Sequence, residues 1–460
     1  MTLNQLATAC SGRLCGCNAE TVVSEIVTDS RKVEEGSVFV ALRGEKFDGH
    51  NFLPQCSSAG AVCCVVDEKF ENTQGFATIV VQDTYAALRD IAAYYRSRFA
   101  VPAVAITGSV GKTSTKDMVA GVLEEHYQVL KTEGNFNNEI GLPLTAFRMS
   151  EADDIAVFEM GMSSFGEISR LTKIVRPEVA IITNIGYSHI EHLGSRENIL
   201  KAKLEVLEGM SPGGTIFLNG DDELLKGVVG TIPFETLSYG IENQDCDLVA
   251  FNVNKLADGT EFEVKVEGSP YRIRINVPGI HHVYNALAAI LTGIIYNIPM
   301  QEIVKGVANF RPTGMRQSVV EIKDKILIKD CYNASPTSMK SGLEVLSVTL
   351  PRFREQSYRQ VAVLGDMLEL GEYAEEAHRD VGRLCCEYDL GCLIAVGANA
   401  KFVAEGAIEK GFNSSELYVF YDNTTLKEHI SDLLRPNDVI LFKGSRGMRL
   451  EEIADFIAEN

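Results

Sequence analysis

The chain lacks both a long apolar run and an excess of positive charge. It has 43 Lys and Arg against 63 Asp and Glu, a net charge of −20 over 460 residues. No apolar run reaches the roughly 18 residues that span a bilayer. The N-terminal MTLNQLATACSGRL also lacks the basic stretch and apolar core of a secretory signal. We therefore expect a cytoplasmic protein that does not enter a membrane.

The excess of acidic residues also limits which partners the chain is expected to bind. Nucleic-acid binding in general needs a cationic surface, so we expect no nucleic-acid partner. Any anionic ligand must instead be held by local basic groups. None of the eleven cysteines forms a C-x-x-C pair, so the usual zinc-site spacing is absent. Most cysteines lie in apolar stretches such as AVCCVV, and we interpret them as reduced core residues.

The order of apolar runs predicts three α/β domains. A hydrophobic content of 45% with 23% charged residues is typical of a globular protein, and the length exceeds one ordinary core. Residues 1–98 alternate short apolar runs with short helical stretches, and the boundary precedes a Val-Pro pair. Residues 99–311 repeat strand-then-helix patterns, which favour a mainly parallel sheet. Residues 312–460 alternate again, as in a Rossmann-like doubly wound sheet.

The strongest functional signal is the segment AITGSVGKTSTKDM. A strand is expected to end at Ile106 and a helix to begin near Lys112, with a glycine-rich turn between them. Backbone N–H groups of such a turn, with the helix dipole, bind phosphate oxygens. Lys112 would reach the β- and γ-phosphates, and the Thr113 hydroxyl would bind Mg²⁺. The predicted nucleotide-binding residues here are Gly108, Ser109, Val110, Gly111, Lys112, Thr113 and Ser114.

The general motif G-x-x-x-x-G-K-[ST] is only half present. Ile106 occupies the position of its first glycine. The alternative interpretation is therefore a glycine turn that binds no ligand.

Two later strand ends carry candidate metal ligands. Glu159 closes the apolar run of DIAVFEM, and the carboxyl end of such a strand faces the ligand crevice of an α/β sheet. A carboxylate there suits Mg²⁺, which prefers oxygen ligands. His189 follows the strand VAIITN, where it could bind a second divalent ion or a phosphate. A solvated glutamate and an ordinary polar loop histidine are the alternatives.

Further polar residues follow other predicted strands or begin helices. Asn135, Asn137 and Asn138 lie in EGNFNNEIGLP, a turn whose amides can bind sugar or phosphate oxygens. The remaining ones are Asn285 at a helix start, Arg316 in a basic loop, Asp330 at a strand end, Asn333 and Ser335 in the turn after it, and Lys443, Ser445 and Arg446 at another strand end. Together they suggest a ligand cleft.

In combination, these motifs resemble the Mur ligase family. The segments that carry the resemblance are TGSVGKT, EGNFNNEIGLP, FEMG, TNIGYSHIEHLGS, HHVYNALAA, GMRQ, DCYNASP and KGSRG, in the family's order over nearly the whole chain. The missing first glycine is a feature of that family. The segments DSRKVEEGSVFVALRGEKFDGHNF and GDMLELGE are similar to members that use D-alanyl-D-alanine.

The resemblance implies an ATP-dependent amide ligase of peptidoglycan precursor synthesis. ATP would activate the carboxylate of UDP-N-acetylmuramoyl-tripeptide as an acyl phosphate, releasing ADP. The amino group of D-alanyl-D-alanine would then attack, forming an amide and releasing phosphate. The implied cofactors are ATP, Mg²⁺ and a carbamylated lysine, and a monomer is expected. Residues 1–98 would bind the UDP substrate, 99–311 would bind ATP, and 312–460 would form the Rossmann-like domain.

Residue roles follow from the same resemblance. Thr113 and Glu159 would hold Mg²⁺, and His189 would hold a second Mg²⁺. Lys203 in KAKLEV would be the carbamylated lysine and a metal ligand, with a solvated helix lysine as the alternative. Lys112, His189 and Lys203 form the implied catalytic set. Asn285, Arg316 and Asp330 match positions that contact adenine, phosphate and ribose.

The implied substrate residues fall in two groups. Ser30 and Arg31, with Lys46 in the Gly44–His50 loop, supply local charge for a diphosphate. The full set is Ser30, Arg31, Gly44, Phe47, Asp48 and His50 for the UDP end, Asn135, Asn137 and Asn138 beside the phosphate loop, and Asn333, Ser335 and Arg446 for D-alanyl-D-alanine.

Two other functions compete with this one. A folylpolyglutamate synthase-like ligase shares the phosphate loop and the Mg²⁺ chemistry, but the additional 98 N-terminal residues favour the cell-wall enzyme. A P-loop regulatory ATPase would have no use for Glu159 or for the C-terminal motifs.

Overall fold

A computed structural model describes residues 1–349 and 358–459. The chain packs into two compact units. The first contains Met1–Ile106, Tyr127–Ala180 and Leu204–Gly214, and the second contains Thr107–His126, Ile181–Lys203 and Thr215–Asn460. The three sequence-based domain ranges, 1–98, 99–311 and 312–460, remain a prediction.

The N-terminal part of the first unit is a five-stranded sheet with helices. Its elements are α1 (Leu3–Ala9), β1 (Arg13–Cys15), β2 (Ile26–Val27), a 3₁₀ turn (Ser30–Lys32), β3 (Val38–Val40), a 3₁₀ turn (Gly49–Phe52), α2 (Leu53–Ser58), β4 (Cys63–Asp67), β5 (Thr78–Val81) and α3 (Thr84–Arg96). The strand order is β1-β5-β4-β3-β2, and only β1 runs antiparallel to its neighbour. Asp83 caps α3 by accepting hydrogen bonds from two backbone N–H groups, which sets where that helix begins.

The next part of the chain alternates strands and helices. It contains β6 (Ala103–Thr107), α4 (Lys112–Leu123), β7 (Val129–Lys131), α5 (Gly141–Ala146), β8 (Ile155–Glu159), α6 (Glu167–Val175), β9 (Val179–Ile182), α7 (Ile190–Leu193), α8 (Arg196–Leu204), a 3₁₀ turn (Glu205–Gly209), β10 (Thr215–Asn219), α9 (Glu223–Lys226), β11 (Glu235–Gly240) and β12 (Leu248–Val249). In the first unit β8 lies between β6 and β7, and all three are parallel. In the second unit β10, β11 and β12 are parallel neighbours.

An antiparallel sheet follows that the strand-then-helix pattern did not predict. It consists of β13 (Phe251–Leu256), β14 (Gly259–Val266) and β15 (Ser269–Ile275), and it precedes α10 (His281–Ile295) and α11 (Met300–Ala308). One signal was present in the sequence. Buried and more exposed residues alternate along TEFEVKV, as in a sheet with one buried face.

The C-terminal part of the second unit is a six-stranded sheet. Its elements are β16 (Ser318–Ile322), β17 (Lys325–Asp330), α12 (Pro336–Val348), β18 (Arg359–Gly365), a 3₁₀ turn (Gly371–Tyr373), α13 (Ala374–Cys385), β19 (Cys392–Val396), α14 (Ala400–Glu409), a 3₁₀ turn (Ser414–Glu416), β20 (Leu417–Phe420), α15 (Asn423–Leu433), β21 (Asp438–Lys443), a 3₁₀ turn (Arg446–Met448) and α16 (Glu451–Glu459). The order is β16-β17-β21-β18-β19-β20, with only β16 antiparallel. The carboxyl ends of β17, β21 and β18 therefore lie side by side.

Two further features concern the cysteines and the helices. Each cysteine is a free thiol, and most are buried. Within residues 1–349 and 358–459, no helix combines the length and the apolar character that crossing a membrane requires.

Candidate active site

The glycine-rich turn after β6 adopts a backbone that requires glycine. Gly108 has φ +150°, and a Cβ there would lie 1.8 Å from the Thr183 hydroxyl oxygen. Gly111, the residue before α4, has φ +86°. Both angles lie in the region that L side chains rarely adopt, so the two glycines allow the tight approach of this loop to Thr183.

The loop is held by the segment that follows β9. Asn184 Oδ1 accepts a hydrogen bond from the Val110 N–H at 2.9 Å, and Asn184 Nδ2 donates to the Val110 carbonyl at 2.9 Å. The Ser109 N–H donates to the Asn184 carbonyl at 3.0 Å. The Thr183 hydroxyl donates to the Val110 carbonyl at 2.6 Å. These bonds fix the loop conformation before any ligand binds.

Lys112 and Thr113 open helix α4 directly after this loop. The Lys112 ammonium lies over the loop, where Nζ donates to the Gly108 carbonyl at 2.9 Å and contacts the Ser109 carbonyl at 3.4 Å. Thr113 is buried and Ser114 is half-buried. A cation and a helix N-terminus thus meet at one glycine-rich loop, the arrangement that binds phosphate groups.

His189 and Lys203 lie near this lysine. His189 precedes α7 with φ +63°, and burial lowers the pKa of its imidazole against the opposing effect of Glu369. Lys203 is 2% exposed on α8, while Lys201 on the same helix is exposed. Burial, with a smaller effect of the Lys112 charge, holds the pKa of Lys203 well below its usual range. The alternative of a solvated helix lysine is therefore wrong.

Asn285 lies one turn inside α10 and braces the phosphate-loop helix. Its Oδ1 accepts a hydrogen bond from the Thr115 hydroxyl at 3.0 Å, and its Nδ2 lies 3.5 Å from His282 Nδ1. His282 Nε2 and His281 Nε2 in turn lie 3.1 and 3.0 Å from Gln317 Oε1. Asn285, the residue predicted to contact adenine, is 5% exposed, and both its amide oxygen and its amide nitrogen have a neighbouring polar partner.

Asp330 ends β17 with its carboxylate paired. Lys443 Nζ, from β21, donates to Asp330 Oδ2 at 2.7 Å. In the following turn, Tyr332 lies beneath the guanidinium of Arg316, with 3.7 Å between Arg316 Cζ and the ring centroid. The predicted phosphate and ribose residues are thus both anchored to this end of the C-terminal sheet.

A cavity of about 220 Å³ lies beside this turn. It contains the residues predicted for D-alanyl-D-alanine together with His189, and its lining includes Ser188, His189, Asn333, Ser335, Glu369 and Arg446. Ser335 also caps α12, since its hydroxyl accepts a hydrogen bond from the Ser338 N–H at 3.4 Å. Arg446 pairs with Glu451 at 2.7 Å and remains more than half exposed. The cavity thus offers a cation, a carboxylate, hydroxyls and an amide.

Glu159, in the first unit, ends β8 and is 1% exposed. Its Oε1 accepts a hydrogen bond from Asn137 Nδ2 at 2.6 Å, whereas Oε2 is buried and has no hydrogen-bond partner among the described residues. Asn138 Oδ1 accepts from the Gly141 N–H at 2.8 Å at the start of α5, and Asn135 is exposed. Of the three asparagines, Asn137 is therefore the one that holds the buried carboxylate.

The unpartnered oxygen of Glu159 suits a bound cation. Buried polar atoms are nearly always satisfied, and a buried carboxylate oxygen without a donor suits a hard metal ion. No group of three or more His, Cys, Asp or Glu side chains able to hold a metal occurs in the part of the chain that the structure describes. A complete protein cage is not needed, because Mg²⁺ at phosphate sites keeps waters and takes oxygens from the phosphates.

The loop predicted for the UDP end is built around a buried histidine. His50 Nδ1 lies 2.6 Å from Asp48 Oδ1, and His50 Nε2 accepts a hydrogen bond from the Asp67 N–H at 3.1 Å. Arg43 bridges Asp48 and Asp67 at 2.5 and 2.9 Å. His50 thus shapes the loop from inside, while Phe47 at the loop's tip is 74% exposed.

Ser30 and Arg31 lie in the first 3₁₀ turn. Arg31 pairs with Asp29 at 2.7 Å, and its hydrogen bonds lower the pKa of Asp29 to about 2. The loop itself is closed by a hydrogen bond from the Gly44 N–H to the Phe47 carbonyl at 2.8 Å. Arg31 remains largely exposed and is able to meet a ligand.

Several residues that contact these side chains had no individual role predicted from the sequence, although Lys443 was placed among the residues of the ligand cleft. Glu369 contacts His189, Lys443 pairs with Asp330, and Gln317 meets two histidines. Glu369 and Gln317 lie in the motifs GDMLELGE and GMRQ, and Lys443 opens KGSRG. The motifs could be recognised in the sequence, but the residue that each of these side chains contacts could not be predicted from it.

A glycine-rich phosphate loop between a strand and a helix, followed by a doubly wound C-terminal sheet with polar strand ends, defines an α/β P-loop protein. Family models match three stretches of the chain: "Mur ligase family, catalytic domain" at residues 22–96, "Mur ligase middle domain" at 106–293 and "Mur ligase, glutamate ligase domain" at 315–446. The chain belongs to the Mur ligase family. The predicted three-domain α/β fold is thereby confirmed.

Individual relatives cover the whole chain. The UDP-N-acetylmuramoyl-tripeptide–D-alanyl-D-alanine ligase of Bacillus subtilis is 38% identical over 100% of this chain and 98% of its own. A crystal structure of MurF from Acinetobacter baumannii superposes with a TM-score of 0.90 at 30% identity, covering 100% of this chain and 99% of that chain. MurF from Thermotoga maritima, in complex with ADP, has a TM-score of 0.83 at 27% identity and covers 95% and 97%.

Proposed function

We propose that the chain joins D-alanyl-D-alanine to UDP-N-acetylmuramoyl-tripeptide, with ATP cleaved to ADP and phosphate. The observation that carries this proposal is the full-length similarity to ligases of that name, together with the phosphate loop held by Asn184. The ADP complex of the Thermotoga relative supports ATP as the phosphoryl donor.

The residues suit the formation of an acyl phosphate. The tripeptide carboxylate attacks the γ-phosphorus of ATP, the bond to ADP breaks, and the loop amides and Lys112 stabilise the charge on the transferring group. The amine of D-alanyl-D-alanine then attacks the acyl carbon, which forms the amide and releases phosphate and a proton. Little covalent chemistry falls to the protein, so positioning by Asn285, Arg316 and Asp330 supplies much of the catalysis.

Thr113, Glu159, His189 and carbamylated Lys203 are the side chains that would hold Mg²⁺. The ion, when bound, neutralises charge on the phosphates during transfer. Lys203 suits carbamylation because its burial favours the neutral amine. Addition of CO₂ to the neutral amine releases a proton and forms a carbamate, which would supply an anionic oxygen ligand.

The proposed substrate-binding residues fall into two groups. Ser30, Arg31 and the Gly44–His50 loop would bind the UDP end. Asn333, Ser335 and Arg446 would bind D-alanyl-D-alanine in the cavity of about 220 Å³, whose guanidinium suits the dipeptide carboxylate. The monomeric state, the cytoplasmic location and the domain ranges 1–98, 99–311 and 312–460 stay predictions, and sedimentation equilibrium tests the first.

The decisive experiment measures ADP release coupled to product mass. Purified protein with ATP, Mg²⁺ and UDP-N-acetylmuramoyl-tripeptide should release ADP in proportion to amide product only when D-alanyl-D-alanine is added. Lys112→Ala should abolish turnover, because the cation at the phosphates is lost. ADP release that needs glutamate and a folate would instead favour the synthase. ATP hydrolysis without an amide product would favour a regulatory ATPase.

A further inference from the structure

Lys443 is a buried cation to which the proposed reaction assigns no role. It is the last residue of β21, it is 2% exposed, and its register partner across the parallel strands is Asp330. Its Nζ donates to Asp330 Oδ2 at 2.7 Å and to the Asn333 carbonyl at 3.3 Å. One ammonium group therefore holds both the strand end and the turn that follows it.

These two contacts join different parts of the proposed site. Asp330 is the residue proposed for the ribose, and only its Oδ2 is taken by Lys443. Asn333 belongs to the stretch Tyr332–Ser335, which lines the cavity proposed for the dipeptide. Tyr332 in the same stretch carries the guanidinium of Arg316 on its ring. A shift of this turn would therefore displace groups on the nucleotide side and on the dipeptide side together.

The surrounding packing leaves room for this side chain and little else. Helix α12 passes over the lysine stem at Gly342, where a Cβ would lie 2.8 Å from Lys443 Cδ and 3.5 Å from Asp330 Oδ2. A buried ion pair is seldom required for folding, since apolar residues of similar volume often serve equally well. The buried charge at the ends of two adjacent strands therefore points to a positional role.

We propose that Lys443 is a positioning residue that holds Asp330 and the Tyr332–Ser335 turn in one arrangement, so that the ATP and D-alanyl-D-alanine subsites form together. The identity of the two ligands rests on the proposed function; the coupling of the two subsites rests on the contacts of Lys443. Loss of the ammonium should weaken both subsites and should leave binding of the UDP end unchanged, because the contacts of Lys443 do not involve the residues proposed for that end.

The test compares Lys443→Met with a matched control, Lys329→Met. Lys329 precedes Asp330 on β17 and pairs with Asp455 at 2.6 Å, toward the surface. Kinetics with each substrate varied in turn should show KM raised about tenfold for both ATP and D-alanyl-D-alanine in Lys443→Met, the size of one lost charged hydrogen bond. KM for the UDP substrate should stay unchanged, as should all constants of the control. A change in only one of the two KM values, or in kcat alone, would overturn the proposal.

A second variant covers the case in which Lys443→Met fails to fold, since Asp330 would be left buried and unpaired. Lys443→Met/Asp330→Asn carries no unpaired charge there. Its KM for D-alanyl-D-alanine should still rise about tenfold, because the contact with the Asn333 carbonyl is also lost. A normal dipeptide KM in that folded double variant contradicts the proposal. Absence of amide product with the wild-type chain would instead defeat the proposed function, so the two failures are distinguishable.

Discussion

Glu369 Oε2 lies 2.5 Å from Nδ1 of His189, and both residues have left-handed backbones, with φ of +61° and +63°. The contact brings the carboxylate and the imidazole to ion-pair distance. The Glu191 N–H also donates to the Glu369 carbonyl at 3.2 Å. Non-glycine residues with such backbones often mark functional sites. Glu369 therefore orients the proposed metal ligand.

Glu369→Ala should lower kcat and raise the Mg²⁺ concentration needed for half-maximal activity. Removal of a group that orients a metal-binding histidine typically costs about 10- to 100-fold. Glu372→Ala, an exposed position nearby, is the control and should behave as wild type. Titration of activity with Mg²⁺ measures the effect. An unchanged Mg²⁺ requirement in Glu369→Ala would rule out the orienting role.

Lys203 should carry a carbamate, and its neighbour on the helix should not. Lys203→Ala should abolish ligation, whereas Lys201→Ala should retain it, because only Lys203 is buried. Wild-type protein in ¹³C-bicarbonate should show a carbamate carbonyl signal that Lys203→Ala lacks. Since protonation of the amine opposes carbamylation, the bicarbonate requirement should increase as pH falls. Full activity of Lys203→Ala would remove the carbamate from the mechanism.

Phe47 should contribute to binding of the UDP substrate without contributing to stability. Its ring is 74% exposed at the tip of the loop that His50 shapes, so it packs on little of the protein itself. Aromatic stacking on a base is worth about 1–3 kcal/mol, so Phe47→Ala should raise KM for the UDP substrate about tenfold. Val22→Ala, at a site 70% exposed, is the control. A lower urea midpoint for Phe47→Ala, with KM unchanged, would refute the binding role.

Buried histidines should make the free energy of unfolding depend on pH. Burial is the main cause that lowers the pKa values of His281, His282 and His378. The unfolded chain, with histidine pKa values of about 6.5, therefore binds more protons than the folded chain just below that pH. The contribution of these histidines to the free energy of unfolding should be level above about pH 7 and should fall as pH drops from about 6.5 toward 5.

Urea denaturation across this pH range provides the measurement. His378→Gln should reduce the dependence of the free energy of unfolding on pH, because glutamine does not titrate. Glutamine can still accept the hydrogen bond that the Met367 N–H donates to His378 Nε2 at 3.0 Å, so the variant keeps that contact. His192→Gln, at an exposed site, should leave the slope unchanged. Equal slopes in the wild type and His378→Gln would show that this histidine does not contribute.

Local sequence patterns were sufficient for much of the fold and for the phosphate loop. The turn between β6 and α4 depends on neighbouring residues, because glycine backbones and a following helix are local properties. The strand ends at Glu159 and Asp330 lie where the apolar runs predicted them. The antiparallel sheet of β13–β15 was not predicted, because the strand-and-helix pattern on either side was assumed to continue through it. The alternation of apolar and polar residues along β14 was nevertheless present in the sequence.

Pairings between distant residues could not be predicted in this way. Lys201 and Lys203 belong to one helix and differ little in local sequence, yet only the second is buried, because packing on the helix selects one face. Glu369 and Lys443 acquire roles through His189 and Asp330, which approach them only in the folded chain. The amino-acid sequence by itself determined the family, the element order and the phosphate loop. The tertiary structure decided which charges are buried and which partners they meet, because burial and ion pairing depend on distance in space.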